Sequence, residues 1–432
     1  MTTSPGHAHR HYHASMLSVE EALERILSAF HVLEPENTPL LEALGQVLAE
    51  DIVAQADVPP LPNSAMDGYA VQAASVKGAS PESPKTLKVL GYVAAGQMPS
   101  QKVKPGTAVR IMTGAPLPDG ADTVVPFEDT DEEERKKAGK SLNEIGIMIE
   151  QRKGADVRPA GEDIKKGTLI LTNGTTLRAG EIGVLASLGY KLAKVIRRPV
   201  VGILSTGDEL MEPGQPLQPG KIYNSNTYSI AAATLRYGGV PKLLGIARDN
   251  LESMNSKLQE GLKTDVLVTS AGVSKGDYDM VKDVLASHGK IDFWSVRMRP
   301  AKPFAFGLLE GPNGRPVPHL GLPGNPVSAL VAFEQFVRPS IYKMMGKTRL
   351  QKPTIKAILE DDIRNNDGRR VYARAIITRR SGKYYAKLTG DQSSGVLSSM
   401  AKANGLAICP EDVRELKAGE TADVQMLDWA EE

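Results

Sequence analysis

The sequence has 432 residues, 41% hydrophobic and 24% charged, an ordinary globular balance that predicts about two to four domains at roughly 100–200 residues each. Lys plus Arg (52) and Asp plus Glu (51) leave a net charge of +1, and aromatics are 5%, so neither the basicity nor the stacking platforms of a nucleic-acid binder are present. Apolar runs such as Val200 to Leu204 fall far short of the ~20 residues of a membrane span, no apolar leader opens the chain, and the single Cys409 permits no intrachain disulfide or thiolate zinc cluster; a soluble, cytoplasmic chain without nucleic-acid or membrane partners is expected.

Residues 1–15 carry His7, His9, His11 and His13 beside Pro5 and Gly6. They read as a disordered tail, although alternating histidines could bind a transition metal. Order is expected from Leu17. Ser18 and Glu21 have capping-box spacing, and Val19, Ala22, Leu23, Ile26, Leu27 and Phe30 recur at helical period. A second short helix is predicted over Leu40–Ala49. Val58-Pro59-Pro60-Leu61-Pro62 then marks a boundary, since proline removes a donor and biases its predecessor away from helix. Beyond it, β-rich runs over Leu87–Val93, Ala108–Met112 and Thr123–Phe127 alternate with Gly/Pro turns, as in a small β-rich domain. The acid-then-base block Glu128–Lys137 reads as a solvated hairpin tip. Helical and turn segments return between Arg158 and Tyr190. The β-rich domain, 61–149, is therefore expected as an insertion in a split helical N-terminal domain, 16–60 and 150–197.

Residues 198–346 carry the clearest pattern. Strands over Val200–Ser205, Lys242–Ile246 and Val266–Ser270 alternate with helices over Thr227–Tyr237 and Leu251–Leu262. Another helix follows Tyr278, strands lie near Phe293 and Phe304, and a long helix runs from Val327 to Met345. This alternation predicts a central parallel-sheet α/β domain with helices on both faces. Ligands of such sheets bind in the crevice beyond the carboxyl ends of the strands. Residues 350–428 are short strands with turns at Asn365–Gly368 and Ser381–Gly382, a small all-β C-terminal domain.

Two loops at strand ends suit an anion: Leu204-Ser205-Thr206-Gly207-Asp208-Glu209 and Thr269-Ser270-Ala271-Gly272-Val273-Ser274-Lys275-Gly276. Small residues let backbone N–H groups approach a ligand, and the next helix presents its positive end to phosphate. One exposed helix end contributes only ~0.3–1 kcal/mol, so several must converge. Gly321-Leu322-Pro323-Gly324-Asn325-Pro326 opens the long helix with proline in its first turn. Asp67, Asp163, Asp208, Glu209, Asp249, Asp277 and Asp279 stand beside turns. Carboxylates next to phosphate need an ion such as Mg²⁺, which prefers oxygen ligands and keeps several waters; singly, each acid is equally a cap or Asx-turn residue. Arg297-Met298-Arg299-Pro300-Ala301-Lys302-Pro303-Phe304 offers guanidinium forks and a point charge to an oxyanion, or a solvated edge-strand face. No Walker loop, GxSxG elbow or HExxH stretch occurs, which leaves P-loop NTPases, α/β-hydrolases and zincins unsupported.

Six strings in order carry a resemblance: Pro62-Asn63-Ser64-Ala65-Met66-Asp67-Gly68-Tyr69-Ala70, Arg110-Ile111-Met112-Thr113-Gly114-Ala115-Pro116, Gly161-Glu162-Asp163-Ile164, Ser205-Thr206-Gly207-Asp208-Glu209-Leu210, the stretch from Ala271 to Asp279, and that from Gly321 to Ala329. From about Leu17 to Leu427 the chain resembles the molybdopterin molybdenumtransferase family (bacterial MoeA, the gephyrin E-domain). The resemblance implies a multi-domain α/β plus β fold. Its central α/β domain is of the molybdopterin-binding type shared with molybdopterin adenylyltransferases, and the protein is a homodimer. The implied reaction belongs to molybdenum cofactor biosynthesis. Molybdenum from molybdate enters the dithiolene of adenylylated molybdopterin, AMP is released, and Mg²⁺ helps cleave the phosphoanhydride. A molybdopterin adenylyltransferase and molybdoenzyme delivery proteins are the implied partners.

Residue by residue, the resemblance carries catalytic roles to Asp67, Thr113, Asp163, Glu209, Asp249 and Asp279, with Glu209 and Asp279 as the metal ligands. It implies substrate binding by Arg158, by Ser205, Thr206 and Gly207, and by Gly272 and Ser274. Pro323 and Pro326 shape the pocket, Arg299 and Lys302 take molybdate, and Arg374 and Ser399 make oxyanion contacts, with Arg369 and Ser398 as rivals. Two departures matter. Ala271 stands where the family often has glycine, which costs the loop φ > 0 freedom. Arg299-Pro300-Ala301-Lys302 replaces a Lys-Pro-Gly-Lys-like string, a fork for a point charge, which leaves tungstate as an alternative to molybdate. A gephyrin-like dimeric scaffold is a second reading, weakened by the lack of a long linker or preceding adenylyltransferase domain. A third, adenylyl transfer by the α/β domain alone, would leave the Asp67, Thr113 and Arg374 regions without a use.

Overall fold

A computed structural model describes residues 16–248, 250–270, 284 and 287–429. Two units emerge. One takes the chain through Thr38, Gly45–Ala49 and everything from Lys194 onward; the other takes Pro39–Leu44 and Glu50–Ala193.

The first unit is built on a six-stranded sheet in the order Val240–Ala247, Val200–Thr206, Val266–Ser270, Pro316–Leu322, Pro303–Glu310, Gly289–Ser295. Its first three strands pair in parallel, as expected, and Pro316–Leu322, not expected from the sequence, adds to them in parallel. Pro303–Glu310 then pairs antiparallel with neighbours on both sides, so the sheet is mixed at that end. Every residue of Val266–Ser270 is buried, because the strand is covered on both faces. Val201, Ile203, Val266 and Val268 pack in one core with Phe333 and Phe336. Leu204 and Leu267 pack in another with Met254 and Leu258.

The opening helix, Val19–Ser28, has the predicted box: the Glu21 amide donates to Ser18 Oγ at 3.0 Å and the Ser18 amide to Glu21 Oε2 at 2.8 Å. It is expected in a split N-terminal domain, but its stripe of Val19, Ala22, Ile26 and Phe30 joins the α/β core, which assigns it to the first unit. The long helix is present from Pro326 to Met344, with a π turn at Phe333–Val337. Pro339, just beyond that turn, cannot donate a backbone bond, and the wider turn accommodates the break. The helix expected after Tyr278 lies largely outside the described residues.

The C-terminal strands close on themselves. Arg370–Arg380 pairs with both Lys383–Leu388 and Gly405–Cys409, completing a five-stranded barrel with Thr354–Leu359 and Thr421–Met426. Met298–Arg299 adds in parallel to the start of Arg370–Arg380, which ties the Arg299-Pro300 turn to the barrel. A short helix, Leu397–Lys402, interrupts the β pattern.

The second unit holds a five-stranded sheet in the order Thr123–Pro126, Gly68–Val71, Thr107–Ile111, Lys85–Val93, Glu144–Ile147. Gly68 is required by close approach: a Cβ there would stand 2.0 Å from the Val125 carbonyl oxygen. Two expectations fail along this stretch. No helix forms over Leu40–Ala49. The Ala43 amide closes one turn onto Pro39 O at 3.0 Å, Gly45 at φ 78° ends it, and Leu41 is 85% exposed, so no continuous apolar stripe exists. The Glu128–Lys137 block is not a solvated tip either. It contains a helix, Glu132–Lys137, whose first residue is 2% exposed. No described helix is long and apolar enough to cross a membrane.

Candidate active-site residues

Three predicted loops of the first unit leave the carboxyl ends of three adjacent strands, Val200–Thr206, Val266–Ser270 and Pro316–Leu322, where a crevice is expected. At the first, Ser205 and Thr206 are buried. Ser205 Oγ donates to Asn224 Oδ1 at 3.0 Å and lies 2.8 Å from Thr227 Oγ1, while Asn224 caps the helix Ser225–Arg236. The Ser205 hydroxyl is thus occupied in anchoring a helix start, a correction to its expected role as a direct substrate contact. Gly207, at φ 136°, turns the chain, and a Cβ there would meet Glu209 Oε2 at 2.3 Å. The exposed Glu209 carboxylate therefore lies over the Gly207 backbone. Lys221 Nζ donates to Asp208 O at 2.6 Å, and the Arg248 guanidinium donates to Asp208 O at 3.3 Å and Leu210 O at 3.2 Å. Two cations brace this loop from behind.

The second and third loops are joined by a residue the sequence did not flag. Asn226 Nδ2 donates to Ser270 Oγ and to Gly324 O, both at 2.7 Å. Pro323 is buried and Pro326 opens the helix. Asn325 Nδ2 donates to Ser394 Oγ at 3.1 Å, and the Val327 amide to Ser394 O at 3.1 Å, so a barrel loop seats the helix start. Asp249, Gly272, Ser274 and Asp279, with Asp277, lie outside the described residues.

Near the barrel, Arg299 donates to the Arg364 carbonyl and sits 3.6 Å from Asp367. Lys302 is exposed, following Ala301 at φ 76°. Arg374 and Ser399 are a correction. Arg374 is 1% and Ser399 2% exposed. Arg374 donates to Ser399 Oγ at 3.1 Å, Asp391 O at 3.3 Å and Ser393 O at 3.1 Å, and Ser399 donates to Val396 O at 2.6 Å. Burial pushes the Arg374 pKa down. The pair braces the 391–394 loop from inside instead of meeting an oxyanion. Its rivals are nearer the surface: Ser398 is exposed, and Arg369 is partly exposed and paired with Asp367.

The second unit brings Asp67 and Thr113 together. Asp67 Oδ1 accepts the Thr113 amide at 2.7 Å and its hydroxyl at 2.8 Å, and these bonds hold the Asp67 carboxyl below its ordinary pKa. Arg158 pairs opposite Asn63, and Ile164 opposite Val58. The 157–164 segment therefore runs antiparallel to 58–64, carrying exposed Arg158 and Asp163 on one ribbon.

Residues 17–189 match the model of the MoeA N-terminal region (domain I and II), 202–343 that of the probable molybdopterin binding domain, and 356–427 that of the MoeA C-terminal region (domain IV). The chain is 38% identical over 412 residues to molybdopterin molybdenumtransferase 2 of Mycobacterium tuberculosis, covering 94% of this chain and 98% of that protein. The chain belongs to the molybdopterin molybdenumtransferase family. A molybdopterin molybdenumtransferase of Nostoc sp. is 37% identical, with 96% of this chain and 95% of that protein covered. Among solved structures, the molybdopterin biosynthesis MoeA protein of Pyrococcus horikoshii superposes with a TM-score of 0.78 at 32% identity, covering 96% of this chain and 100% of that one. The family's multi-domain α/β fold with a small β-rich C-terminal domain is therefore the fold of this chain. Among the described residues of this family member, no group of three or more His, Cys, Asp or Glu is arranged to hold a metal.

Proposed function

We propose that the chain inserts molybdenum from molybdate into the dithiolene of adenylylated molybdopterin and releases AMP. The observation that carries this reading is the convergence of adjacent strand ends, where Asn226 joins Ser270 to Gly324, in a chain that matches molybdopterin molybdenumtransferases over nearly its whole length. Small residues and a helix start suit the phosphates. Lys221 and Arg248, bound to the carbonyls of the Asp208 loop, hold that loop rigid while Glu209 stays exposed beside it. Arg299 and Lys302 supply positive charge for the molybdate oxyanion. In the second unit, Asp67, ionised and fixed by Thr113, and Asp163 and Arg158 on their ribbon are proposed to serve the same reaction.

Mg²⁺ suits such residues, because it is bound through one or two carboxylates plus substrate phosphates and waters, without a dedicated cage. Glu209 is a hard oxygen donor of that kind, and Glu209 with Asp279 would hold the ion. When bound, it would neutralise charge on the phosphoanhydride. A homodimer in the cytoplasm, supplied by a molybdopterin adenylyltransferase and discharging to molybdoenzyme delivery proteins, is part of the same proposal.

The test is AMP release from adenylylated molybdopterin with and without molybdate and Mg²⁺. Release that requires both is expected. Substrate bound without release would overturn the reading, and release with tungstate alone would replace the oxyanion.

A further inference from the structure

The buried carboxylate of Glu132 is surrounded by residues that flank Asp67 and Thr113. Tyr69 and Arg110 are cross-strand partners, and Gly68 pairs with Ile111. Asp67 and Thr113 thus lie two and three residues further along the same two chains. Glu132 Oε2 accepts Tyr69 Oη at 2.5 Å and Arg110 Nε at 3.1 Å, and Oε1 accepts Arg110 Nη2 at 2.8 Å and Lys136 Nζ at 2.5 Å. The Arg110 guanidinium lies over the Phe127 ring at 4.3 Å, and the Phe127 amide donates to Asp67 O at 3.1 Å. The two strands that carry Asp67 and Thr113 and the Phe127 turn therefore meet, directly or through Arg110, on one carboxylate, while the 64–66 segment before Asp67 is held separately by Ser64 and Asp156.

A buried charge is costly unless geometry and hydrogen bonds compensate for it. Burial works against the Glu132 charge, yet Arg110, Lys136 and Tyr69 hold its carboxyl at about 2. The helix that carries it is six residues long, too short to persist by its own hydrogen bonds. Its acidic first turn and basic last turn give it no apolar stripe. Asp131 ties its start to the Gly146 amide at 2.7 Å, and among the described residues Glu132 alone ties it to the Tyr69 and Arg110 strands. We propose that Glu132 is a positioning residue that aligns the Asp67 and Thr113 strands, a role in catalysis that rests on the functional reading of that pair.

Two readouts separate positioning from simple stability. In the full-length protein labelled with ¹⁵N-threonine, the Thr113 amide, bonded to a carboxylate at 2.7 Å, reports the pair directly. In E132Q, which keeps side-chain volume but not the bidentate acceptor, that amide is expected to move upfield and exchange faster, while AMP release slows about tenfold at unchanged affinity for adenylylated molybdopterin. If E132Q does not fold, R110K breaks the same fork while keeping the charge and should give the same two effects. An unchanged Thr113 resonance in a folded variant overturns the proposal, as does a loss confined to affinity or melting temperature. If the wild-type protein releases no AMP, the functional reading fails, and the Thr113 resonance alone still decides whether Glu132 aligns the pair.

Discussion

Thr113 gives both its amide and its hydroxyl to one oxygen of Asp67, at 2.7 and 2.8 Å. Hydrogen bonds to the charged form lower a carboxyl pKa, and the amide contributes more than the hydroxyl here. Because the folded value is depressed, the associated stability is present above the unfolded pKa and is lost as pH falls through the folded one. T113V removes only the hydroxyl. The Asp67 midpoint should rise towards its ordinary value without reaching it, and the acid limb of AMP release should move to higher pH. Carboxyl ¹³C titration checks the first, and an unmoved midpoint would show that the hydroxyl bond is not made in solution.

Arg374 makes an opposite kind of prediction. An oxyanion contact at the surface would lose activity on substitution and keep its stability. A buried guanidinium bonded to Ser399 and two carbonyls should lose stability first, because its removal leaves the buried Ser399 hydroxyl without that donor, at about 1–3 kcal/mol, and frees the 391–394 loop. R374M is expected to lower the melting temperature clearly, and S399A to lower it less. Thermal unfolding decides: a normal melting temperature with activity lost would return Arg374 to the substrate.

The contrast shows what was legible. The parallel strands Val200–Thr206 and Val266–Ser270 announce themselves because burial on both faces demands unbroken apolar runs, and the Ser18–Glu21 box announces a helix start. Pro316–Leu322 does not, since Pro316 and Pro318 break the pattern in a strand bordered by antiparallel Pro303–Glu310. The Glu132–Lys137 helix is also hidden, because ion pairs to a distant strand hold it. At the site, the family resemblance points to Arg374 and Ser399 by type, but type does not reveal that they bond each other inside the barrel. Asn226 was missed for the converse reason: nothing near it in sequence shows that Ser270 and Gly324 converge on it.

Lys302 stands on the exposed side of the Arg299-Pro300-Ala301 turn, so its removal should leave folding unchanged, within about 0.5 kcal/mol. If it supplies point charge to the oxyanion, K302A should raise the molybdate concentration needed for half-maximal AMP release and leave binding of adenylylated molybdopterin nearly intact. Titrating each substrate separately gives the comparison, and equal losses for both would remove Lys302 from the oxyanion end.

His319 gives a prediction about stability alone. It is fully buried in the Pro316–Leu322 strand, opposite Leu267 of the neighbouring strand, with Nε2 2.9 Å from Thr269 Oγ1 and Nδ1 without a partner among the described residues. Burial pushes its pKa down from 6.5 to about 3, so the folded protein keeps the ring neutral. An unpaired Nδ1 is better tolerated as an acceptor than as a buried donor; the proton then sits on Nε2, which donates to Thr269. The unfolded chain takes up a proton below 6.5 that the folded chain refuses down to about 3. The contribution is therefore whole above the unfolded pKa and erodes as pH falls through that window. Between pH 7 and 5 the loss should be about 2 kcal/mol. H319L, which cannot titrate, should be less stable at pH 7 through its altered packing and lost bond to Thr269, but its urea midpoint should fall less between pH 7 and 5 than that of the wild type. Parallel pH dependences in the two proteins would mean that His319 is hydrated or protonated in the folded state.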